Sequence, residues 1–457
     1  MTSDDLKKEL EGYLAEHPDT RFMEPLIADM NGILRGKRIG MEDSGKAFKN
    51  GVNMCASTTI LDTLGNAFET IEFGLNDGDP DAKAFAVSGS LAPVPWATLP
   101  TAQLLLEMVN LDGSPYENDP RNVLRRSLQP LTDMGLKPVM ATELEFYLVE
   151  YDGTRFQPRK PRIPGSDLPQ SGMQYSVMED LYEVDDFLMD LVEICKAQNI
   201  PAGAALSEFS PGQYEVNLQH VDDPVLACDH AVLLKRAVKS AAAKNGLAAT
   251  FMAKPFADTA GSGLHMHVSM LDTDGNNIFA GESIDGSFSD QLRHAIGGLG
   301  KTLVESIAVF APNANSYRRY APGFYVPAAP SWGPNHRGVA MRIPLSGPQN
   351  RRLEHRVAGA DANPYLVVAA VMAGIHHGIS QRCEPGPMTP EGARLDYQIE
   401  IPVRWPHALD AFEAGTVLPE YFGKDYHELY SRCRHEEESN YNSEIPMKDF
   451  DWFMRAV

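Results

Sequence analysis

The sequence predicts an α+β protein with two domains, the second of which contains a barrel-like funnel of strands with polar inner faces. Three observations lead to this fold class. The chain has 457 residues, which is more than one growing hydrophobic core usually supports. Helical and strand patterns are mixed along the chain, without an internal repeat. In its second part, four segments carry acidic, imidazole or guanidinium side chains at alternate positions, as strands with one polar face do.

Composition narrows the classes of protein to which the chain can belong. Hydrophobic residues make up 43% and charged residues 22%, which is ordinary for a globular protein. The 62 acidic and 40 basic residues give a net charge of −22, which would repel a nucleic acid or an anionic membrane surface. No apolar run approaches the roughly 20 residues that cross a bilayer. We therefore expect small-molecule substrates and neither a nucleic-acid nor a membrane partner.

The amino-terminal segment and the cysteines indicate a cytoplasmic protein. The first residues are acidic and amphipathic, and they lack the basic and apolar regions of a signal peptide. The cysteines are scattered singly without a CxxC pair, and we expect reduced thiols that form neither a disulfide scaffold nor a zinc site. They are Cys55, Cys195, Cys228, Cys383 and Cys433.

The first hundred residues are typical of a mixed α/β unit, which begins with a helix that Ser3 would cap. Leu6, Leu10, Tyr13 and Leu14 form the apolar stripe of this helix. The stretch 111–120 (LDGSPYENDP) is rich in turn-forming residues and marks our expected domain boundary.

Helical periodicity predicts four helices beyond this boundary. The first has apolar positions from Val123 to Met134, and Gly135 would end it. The other three are predicted at Phe187–Ala197, at Pro224–Gly246 and at Pro364–Ser380, the last with Pro364 in its first turn. The segments between these helices carry the chemistry.

Lys137–Tyr151 (KPVMATELEFYLVEY) reads as a strand with two unequal faces. Because side chains alternate along a strand, Glu143 and Glu145 project from the same face, about 7 Å apart. The other face is apolar. Two carboxylates on a strongly apolar strand need either solvent or a cation. Taken alone, this segment is also compatible with an edge strand that has one solvated face.

Three further segments repeat the pattern. In Glu208–Leu218 (EFSPGQYEVNL), a Ser-Pro-Gly turn precedes a strand that presents Gln213, Glu215 and Asn217 on one face. Gly261–Met270 (GSGLHMHVSM) presents His265, His267 and Ser269 on one face of a strand. Arg351–Arg356 (RRLEHR) presents Arg352, Glu354 and Arg356 on one face in the same way.

Four such faces favour a funnel that holds metal ions and anions. Carboxylate oxygens with one imidazole suit two hard cations such as Mg²⁺ or Mn²⁺, whereas zinc or copper would call for more sulfur or nitrogen. Arginines would bind phosphate oxygens and a substrate carboxylate. The alternative reading requires four independent solvated faces. The predicted metal ligands are Glu143, Glu145, Glu208, Glu215, His265 and Glu354.

Taken in this order, these segments resemble the type I glutamine synthetase family. The matching pieces are ATELEFYL, EFSPGQYEV, KPFADTAGSGLHMHVSM, NSYRRYAPGF, HRGVAMRIP, RRLEHR and DANPYLVVAAVMAGI. The resemblance implies a small amino-terminal β-grasp domain at 1–115 and a catalytic domain at 116–457, in which helices surround a curved antiparallel sheet. It also implies ATP and two to three Mg²⁺ or Mn²⁺ ions as cofactors, and a homododecamer of two stacked hexameric rings with active sites at subunit junctions.

The resemblance also assigns roles to individual residues. One metal would be held by Glu145, Glu208 and Glu215, and the other by Glu143, His265 and Glu354. The ATP-binding residues would be His267, Ser269, Arg337, Arg342 and Arg352. The substrate-binding residues would be Glu145, Gly261, Arg319, Arg356 and, from the amino-terminal domain, Cys55.

The sequence departs from the family at the positions that handle ammonium. The family's flap reads Pro-Gly-Tyr-Glu, and its glutamate takes a proton from ammonium, whereas this chain reads Pro322-Gly323-Phe324-Tyr325. Cys55 stands where the family has an aspartate. A pocket without these two acids would bind a small cation more weakly and favour an organic amine.

We therefore expect a γ-glutamyl–amine ligase, similar to the γ-glutamylpolyamine synthetases of the family. Glu208, Arg337 and Tyr325 are the expected catalytic residues, with Glu208 as proton acceptor and Tyr325 as a lid. Ala260 replaces a family asparagine in the loop that guards glutamate entry, whereas Arg319 and Arg356 favour glutamate as the acid. The alternatives are an ammonium-dependent glutamine synthetase, a non-catalytic paralogue, or a guanidino kinase of similar outline.

Overall fold

The computed structural model describes residues 3–68, 78–170, 172, 175–281 and 288–457. Two sheets organise this part of the chain. The first belongs to the amino-terminal 110 residues, and the second carries the polar-faced strands. Of the helices in the described part, none combines the length and the apolar composition that a membrane crossing needs.

The amino-terminal unit is a mixed sheet against which two helices pack. Its strands follow the order β2-β1-β7-β5-β4, with β3 beside β1 and β6 beside β7, and β1 and β7 run parallel. Leu6, Leu10 and Tyr13 of the first helix pack onto the sheet, as their spacing predicts. The elements are α1 (Ser3–Glu16), β1 (Phe22–Ala28), β2 (Leu34–Gly36), β3 (Ile39–Gly40), α2 (Gly45–Lys49), β4 (Val52–Cys55), β5 (Asp81–Ala86), β6 (Ala92–Pro93) and β7 (Thr101–Val109).

The second unit is a largely antiparallel sheet with helices outside. Among the described residues it has nine strands in the order β10-β11-β8-β13-β16-β15-β14, with β9 and β12 also on β8. Its strands are β8 (Lys137–Tyr151), β9 (Phe156–Pro158), β10 (Ala202–Ser207), β11 (Gln213–Leu218), β12 (Ala248–Thr250), β13 (Leu264–Leu271), β14 (Trp332–Pro334), β15 (Met341–Ile343) and β16 (Leu353–His355).

The helices of the second unit cover one face of this sheet and form the main core with it. The central pair is α7 and α8. These two helices can pack closely because Gly298, Gly374 and Gly378 lie between them, where a larger side chain would not fit. These helices are α3 (Pro120–Asp133), α4 (Met178–Tyr182), α5 (Asp185–Ala197), α6 (Pro224–Lys244), α7 (Asp290–Phe310), α8 (Pro364–Gln381), α9 (Trp405–Glu413), α10 (Leu418–Phe422), α11 (Lys424–Ser443) and α12 (Met447–Phe453).

The helix ends follow local chemistry. The Asp119 carboxylate accepts a hydrogen bond from the Arg121 amide and begins α3, while Gly135 adopts a φ of +71° just past its end, as predicted. Pro364 occupies the first turn of α8, also as predicted. The domain boundary near residue 115 lies in the loop between β7 and α3, and it stays a prediction.

Several predicted bounds differ from the structure. The first helix already begins at Ser3, so this residue does not precede it as a cap. The strand predicted at Glu208–Leu218 begins only at Gln213, because the Ser-Pro-Gly turn occupies the residues before it. The strand predicted at Arg351–Arg356 pairs only over Leu353–His355. The helix predicted to reach Gly246 ends at Lys244, and Gly246 has a φ of +71°.

Candidate active site

The strand register brings the predicted polar side chains side by side. On β11, Glu215 lies directly opposite Glu145 of β8, and on β13, His265 lies directly opposite Glu143. On the other side of β13, His267 is paired with Glu354 of β16. The paired positions form one continuous face, which lines a cavity of about 610 Å³. We call its members the carboxylate row: Glu143, Glu145, Glu208, Glu215, His265, His267 and Glu354.

The carboxylate row brings like charges together. Two carboxylates with oxygens within 4.8 Å of one another repel by about 3 kcal/mol at an effective dielectric constant of about 20. Like charges directly opposite on a sheet destabilise it unless a cation lies between them. Three sets of ligand atoms lie close enough to hold a metal ion: Glu145, Glu208 and Glu215; Glu143, Glu215 and His265; and Glu143, His267 and Glu354. The row therefore fits divalent cations with mainly oxygen ligands.

The grouping of the predicted ligands differs in one respect. The set of Glu145, Glu208 and Glu215 is found as predicted. The second predicted set, Glu143, His265 and Glu354, does not form a single group. Glu143 lies between the two histidines, so it belongs to one group with His265 and to another with Glu354. His267, which the sequence assigns to ATP, joins Glu143 and Glu354, and its Nε2 is 2.8 Å from the Glu143 carboxylate.

The acids differ in how firmly they hold a proton. Burial and the neighbouring charge of Glu143 raise the pKa of Glu215 to about 9. Burial and the charge of Glu145 raise the pKa of Glu208 to about 7, against the attraction of the nearby arginines. Glu143 has a pKa well below its usual range, since contacts with both histidines outweigh its burial. Glu143, which contacts the two histidines, is therefore ionised, whereas Glu208 and Glu215, which lie next to other acids, hold a proton more firmly than an ordinary glutamate.

Arginines surround Glu354. This side chain is 1% exposed, and it accepts hydrogen bonds from Arg356 and, at 2.6 Å, from Arg342. Although burial acts in the opposite direction, Arg356 in particular lowers the pKa of Glu354 to about 2. Arg352 contacts Nδ1 of His267 at 3.2 Å, and Arg337 lines the same cavity. This side of the cavity therefore offers several guanidinium groups to an anion.

Ser269 lies one step further along β13, in an adjoining cavity of about 860 Å³. This second cavity also contains Glu143, His267 and Arg352, so the two cavities share the wall at the metal-binding groups. The hydroxyl of Ser269 donates to the Arg351 carbonyl at 2.9 Å. The residues predicted to bind ATP thus lie around the junction of the two cavities.

The opposite end of the carboxylate row contains Arg319 and the glycines of the loop 261–263. Arg319 is buried, and it donates to the Val357 carbonyl at 2.7 Å, while its Nε has no hydrogen-bond partner among the described residues. A side chain on Gly263 would place a Cβ 2.7 Å from Arg319 and 2.8 Å from His265. The amide of Gly263 donates to Glu145 at 2.6 Å. Glycine is therefore needed for the arginine to approach the carboxylates.

Sequence reasoning missed the residues that hold this loop. The Tyr147 hydroxyl donates to the Ala260 carbonyl at 2.7 Å, the Gln213 amide donates to the Gly261 carbonyl at 3.0 Å, and the Ser210 hydroxyl accepts from the Ala260 amide at 2.8 Å. Tyr147 and Gln213 lie on the polar faces of β8 and β11, and this placement was the available signal.

The flap 322–326 covers one side of the cavity, where Phe324, Tyr325 and Val326 line it. Tyr325 is 65% exposed and has a φ of +54°, which is uncommon for a residue other than glycine. The ammonium of Lys254 lies 4.2 Å from the centre of the Phe324 ring. The flap thus presents aromatic rings and no carboxylate to the site.

Of the predicted site residues, Cys55 lines neither this cavity nor the adjoining one that contains Ser269. It is exposed at the end of β4, opposite Asp81 of β5 in the amino-terminal sheet. Its predicted contact with substrate therefore requires a second copy of the chain, and it stays a prediction.

The sheet presents three groups of side chains that could hold a metal ion, together with an arginine cluster and a flap that carries aromatic rings. Such an arrangement is typical of metal-dependent enzymes that act on anionic substrates. Residues 117–453 match the family described as "Glutamine synthetase, catalytic domain". The chain belongs to the glutamine synthetase family, whose members use ATP and divalent metals.

Two curated relatives and one solved structure illustrate the similarity. The chain is 40% identical to the gamma-glutamylputrescine synthetase of Escherichia coli K12, over 98% of this chain and 94% of that protein. It is 33% identical to the glutamate–isopropylamine ligase of a Pseudomonas species, over 78% of this chain and 77% of the relative. The structure of ligand-free GmaS superposes with a TM-score of 0.81 and 25% identity, covering 97% of this chain and 99% of the other.

Proposed function

We propose that the protein is an ATP-dependent ligase that forms a γ-glutamyl amide from glutamate and an organic amine. One observation carries the proposal. The carboxylate row is complete, while the flap above it presents Phe324 and Tyr325 and no acid. The names of the two relatives, a γ-glutamylputrescine synthetase and a glutamate–isopropylamine ligase, support the same reaction class.

The reaction needs two steps because a carboxylate is a poor acyl donor. An oxygen of the glutamate side chain first attacks the γ-phosphorus of ATP, and ADP leaves. The nitrogen of a neutral amine then attacks the carbonyl carbon of the γ-glutamyl phosphate, inorganic phosphate leaves, and the nitrogen loses one proton. The protein must therefore position two anions, exclude water and accept a proton.

The carboxylate row fits two to three Mg²⁺ or Mn²⁺ ions, which would neutralise the phosphate oxygens. We assign Glu145, Glu208 and Glu215 to the ion nearest glutamate, and Glu143, His265, His267 and Glu354 to the ions nearest the phosphates. The three ligand groups within 4.8 Å support this assignment.

We assign Arg337, Arg342 and Arg352 to the phosphates of ATP, together with Ser269 and His267 at the junction of the two cavities. Guanidinium groups can meet the charge that spreads over the phosphoryl oxygens in the transition state. The ion pair with Glu354 already orients the Arg342 side chain towards the cavity. This orientation supports a role in binding phosphate.

Arg319 and Arg356 would bind the carboxylates of glutamate, with Glu145 and the Gly261 backbone at its amino end. Both arginines are buried at the cavity wall, and in the part of the chain that the structure describes the Nε of Arg319 has no hydrogen-bond partner. A buried guanidinium with an unused N–H favours an anionic ligand. This arrangement supports glutamate as the acid although Ala260 replaces the family's asparagine.

The amine would enter beneath the flap. Leu206, Phe209, Phe324 and Tyr325 give this part of the cavity an apolar and aromatic wall, and Glu208 lies beside it. An ammonium ion gains nothing from carbon on this wall, whereas an alkylamine buries its methylene groups there at about 0.8 kcal/mol each. The Glu208 carboxylate lies beside this wall, which makes it our proposed acceptor for the amine proton.

We further propose the family's dodecamer, with Cys55 of one subunit facing the carboxylate row of its neighbour. Cys55 is exposed and does not line the cavity of its own chain, and both observations support this arrangement. The amino-terminal domain at 1–115 would then contribute to sites that the catalytic domain at 116–457 only partly forms.

An amine panel tests the proposal. The protein is incubated with glutamate, ATP and MnCl₂ together with ammonium, putrescine, isopropylamine or ethanolamine, and the amides are measured by mass spectrometry. We expect at least one organic amine to exceed ammonium in kcat/KM by about tenfold or more, which corresponds to about 1.4 kcal/mol. Glutamine formation without any amine product would instead identify an ammonium-dependent synthetase. Absence of ATP turnover with every acceptor would favour a non-catalytic paralogue.

A further inference from the structure

A third cavity, of about 640 Å³, lies between the amino-terminal unit and α6. Residues 31–34 close it on one side, and the helix α6 and the segment 249–252 close it on the other. We call it the interdomain cavity. It shares no lining residue with the carboxylate row, and nothing in the proposed reaction uses it.

One face of α6 makes this cavity basic. Lys235, Arg236 and Lys239 all line it, and they follow the spacing that places residues on adjacent parts of one helix face. The charge of Arg236 is balanced by an ion pair with Glu24. Within the described part of the chain, neither Lys235 nor Lys239 has an ion-pair partner. Two ammonium groups that lack an ion-pair partner in this part of the chain are unexpected in one cavity of a protein whose net charge is −22.

The surroundings of the two lysines suit an anion with an apolar body. Their ammonium groups lie 5.8 Å and 6.0 Å from the centre of the Phe251 ring. Lys235 donates to the Ala362 carbonyl at 3.0 Å, which leaves two of its N–H groups for a ligand. Burial lowers the pKa of Lys235 to about 7, so the ammonium form gains most from a bound anion.

Asp361 is the acid in this lining, and its charge is already shared. Its Oδ2 accepts hydrogen bonds from Ser316 at 2.6 Å and from Asn313 at 2.9 Å. Its charge also attracts the ammonium of Lys235 and so balances part of the positive charge of the cavity. We infer that the interdomain cavity is a second binding site, which takes a small organic anion with a carboxylate or phosphate group near Lys235 and Lys239 and an apolar part against Phe251.

Two loops connect this cavity with the acid-binding end of the active site. The loop that carries Asn313 and Asn315 continues directly to Arg319. Asn315 also holds the backbone of Lys254, whose ammonium contacts Phe324 of the flap. A ligand that orders these loops changes the position of groups that touch glutamate, so occupancy should change the KM for glutamate.

The loop after β16 makes the second connection. Asp361 lines the interdomain cavity, and two residues earlier in the chain Gly359 pairs with Gly263 of the glycine loop. The amide of Ala360 donates to the Ser262 carbonyl at 3.0 Å. The backbone therefore links the basic cavity to the residues beside Arg319 by only a few bonds.

Calorimetric titration tests the site. The assembled full-length protein is first saturated with glutamate, Mg²⁺ and a non-hydrolysable ATP analogue, so that the active-site arginines are occupied. Benzoate, citrate and inorganic phosphate are then titrated separately. We expect benzoate or citrate to bind once per chain, and Lys239→Gln to weaken this binding at least tenfold. Lys244→Gln makes the same charge change on the same helix outside the cavity, and it should change the affinity less than twofold.

The outcomes separate the possibilities. Lys235→Gln should weaken binding as Lys239→Gln does, and because Lys239 is exposed, its variant tests the site even if Lys235→Gln fails to fold. Absence of binding by both organic probes, or equal binding by Lys239→Gln, overturns the inference. Phosphate that binds as tightly as benzoate contradicts the apolar part of the site. Binding with an unchanged KM for glutamate contradicts the connection through the loops.

Discussion

Glu208 and Glu215 hold protons that a metal ion must displace. Their pKa values of about 7 and about 9 lie above the ordinary range of a glutamate because of burial and neighbouring acids. A raised pKa means that the metal-free protein is protonated at these positions below those values, and metal binding then releases the protons. We expect release of about one proton per chain at pH 8 and more at pH 6, with affinity for Mn²⁺ that rises with pH.

The measurement is calorimetry of Mn²⁺ binding in buffers with different enthalpies of ionisation. Glu215→Gln removes the acid with the higher pKa, so proton release at pH 8 should fall to near zero. Glu150→Gln is the matched control, because Glu150 lies on β8 outside the cavity and pairs with Arg159. An affinity for Mn²⁺ that does not depend on pH between 6 and 9 would contradict the prediction.

Tyr325 offers a direct test of acceptor preference. Tyr325→Glu restores an acid to the flap, and it should raise the ratio of ammonium to alkylamine kcat/KM by about tenfold, since one countercharge stabilises a desolvated small cation. Tyr325→Phe keeps the ring, and it should leave this ratio within about threefold if the ring acts as an apolar wall. Amide formation measured by mass spectrometry decides between these effects. An unchanged ratio in Tyr325→Glu would show that the flap does not select the acceptor.

For single residues, the sequence predicted the strand face on which a side chain lies better than it predicted which side chains share a metal-binding group. The alternation of side chains on one strand fixes the face of Glu143 and Glu145, and the structure confirms that face. The register between strands decides which ligands meet. It places His267 opposite Glu354, which no pattern within β13 alone contains.

Among the elements, α6 depends on the cap at its first turn. Asp223 accepts hydrogen bonds from the amides of Val225 at 2.9 Å and Leu226 at 3.3 Å. Asp223→Ala should destabilise the helix start by about 1 kcal/mol. Its neighbour Asp222 makes an exposed ion pair with Lys137, so Asp222→Ala should affect the helix start much less than Asp223→Ala does.

Hydrogen exchange of the first turn of α6 measures the difference. Faster exchange is expected in Asp223→Ala and near-native exchange in Asp222→Ala. Equal exchange in the two variants would show that packing of Pro224 and Val225 is sufficient to hold this helix end, since both are buried.

Long elements could be predicted from the sequence, and short ones could not. The strand Lys137–Tyr151 agrees with its predicted bounds, because its apolar and polar positions alternate over many residues. The strands β14 and β15 have three residues each, too few for a period to be recognised, and β16 was predicted only as part of the longer segment Arg351–Arg356. Their positions follow from pairing with β13 and with one another, which is tertiary information.

For the whole molecule, the position of Cys55 allows a test of shared active sites. A chain with Cys55→Arg would have a defective amino-terminal contribution, and a chain with Glu354→Gln would have a defective catalytic domain. If sites lie between subunits, randomly mixed assemblies contain intact junctions at about a quarter of positions. Co-expression of the two inactive chains should therefore restore about a quarter of the wild-type activity, measured as ADP release.

The control is a mixture of Glu354→Gln with Glu143→Gln. Both changes lie in the same cavity of one chain, so no junction in this mixture is intact and no activity should return. Recovery in the control, or its absence in the first mixture, would contradict sites that are shared in this way.

The alternation along β8 also limits how such a protein can diverge. Inserting one residue between Met140 and Leu148 would exchange the two faces of this central strand, turning its glutamates into the core and its leucines towards the metal groups. The pairing of β8 with β11 and β13 would propagate the error to Glu215 and His265. The flap has no strand partner, so its length and residue types can vary without moving a ligand. New acceptor preferences should therefore evolve through changes in loops such as the flap. The metal-binding strands should tolerate substitutions but neither insertions nor deletions.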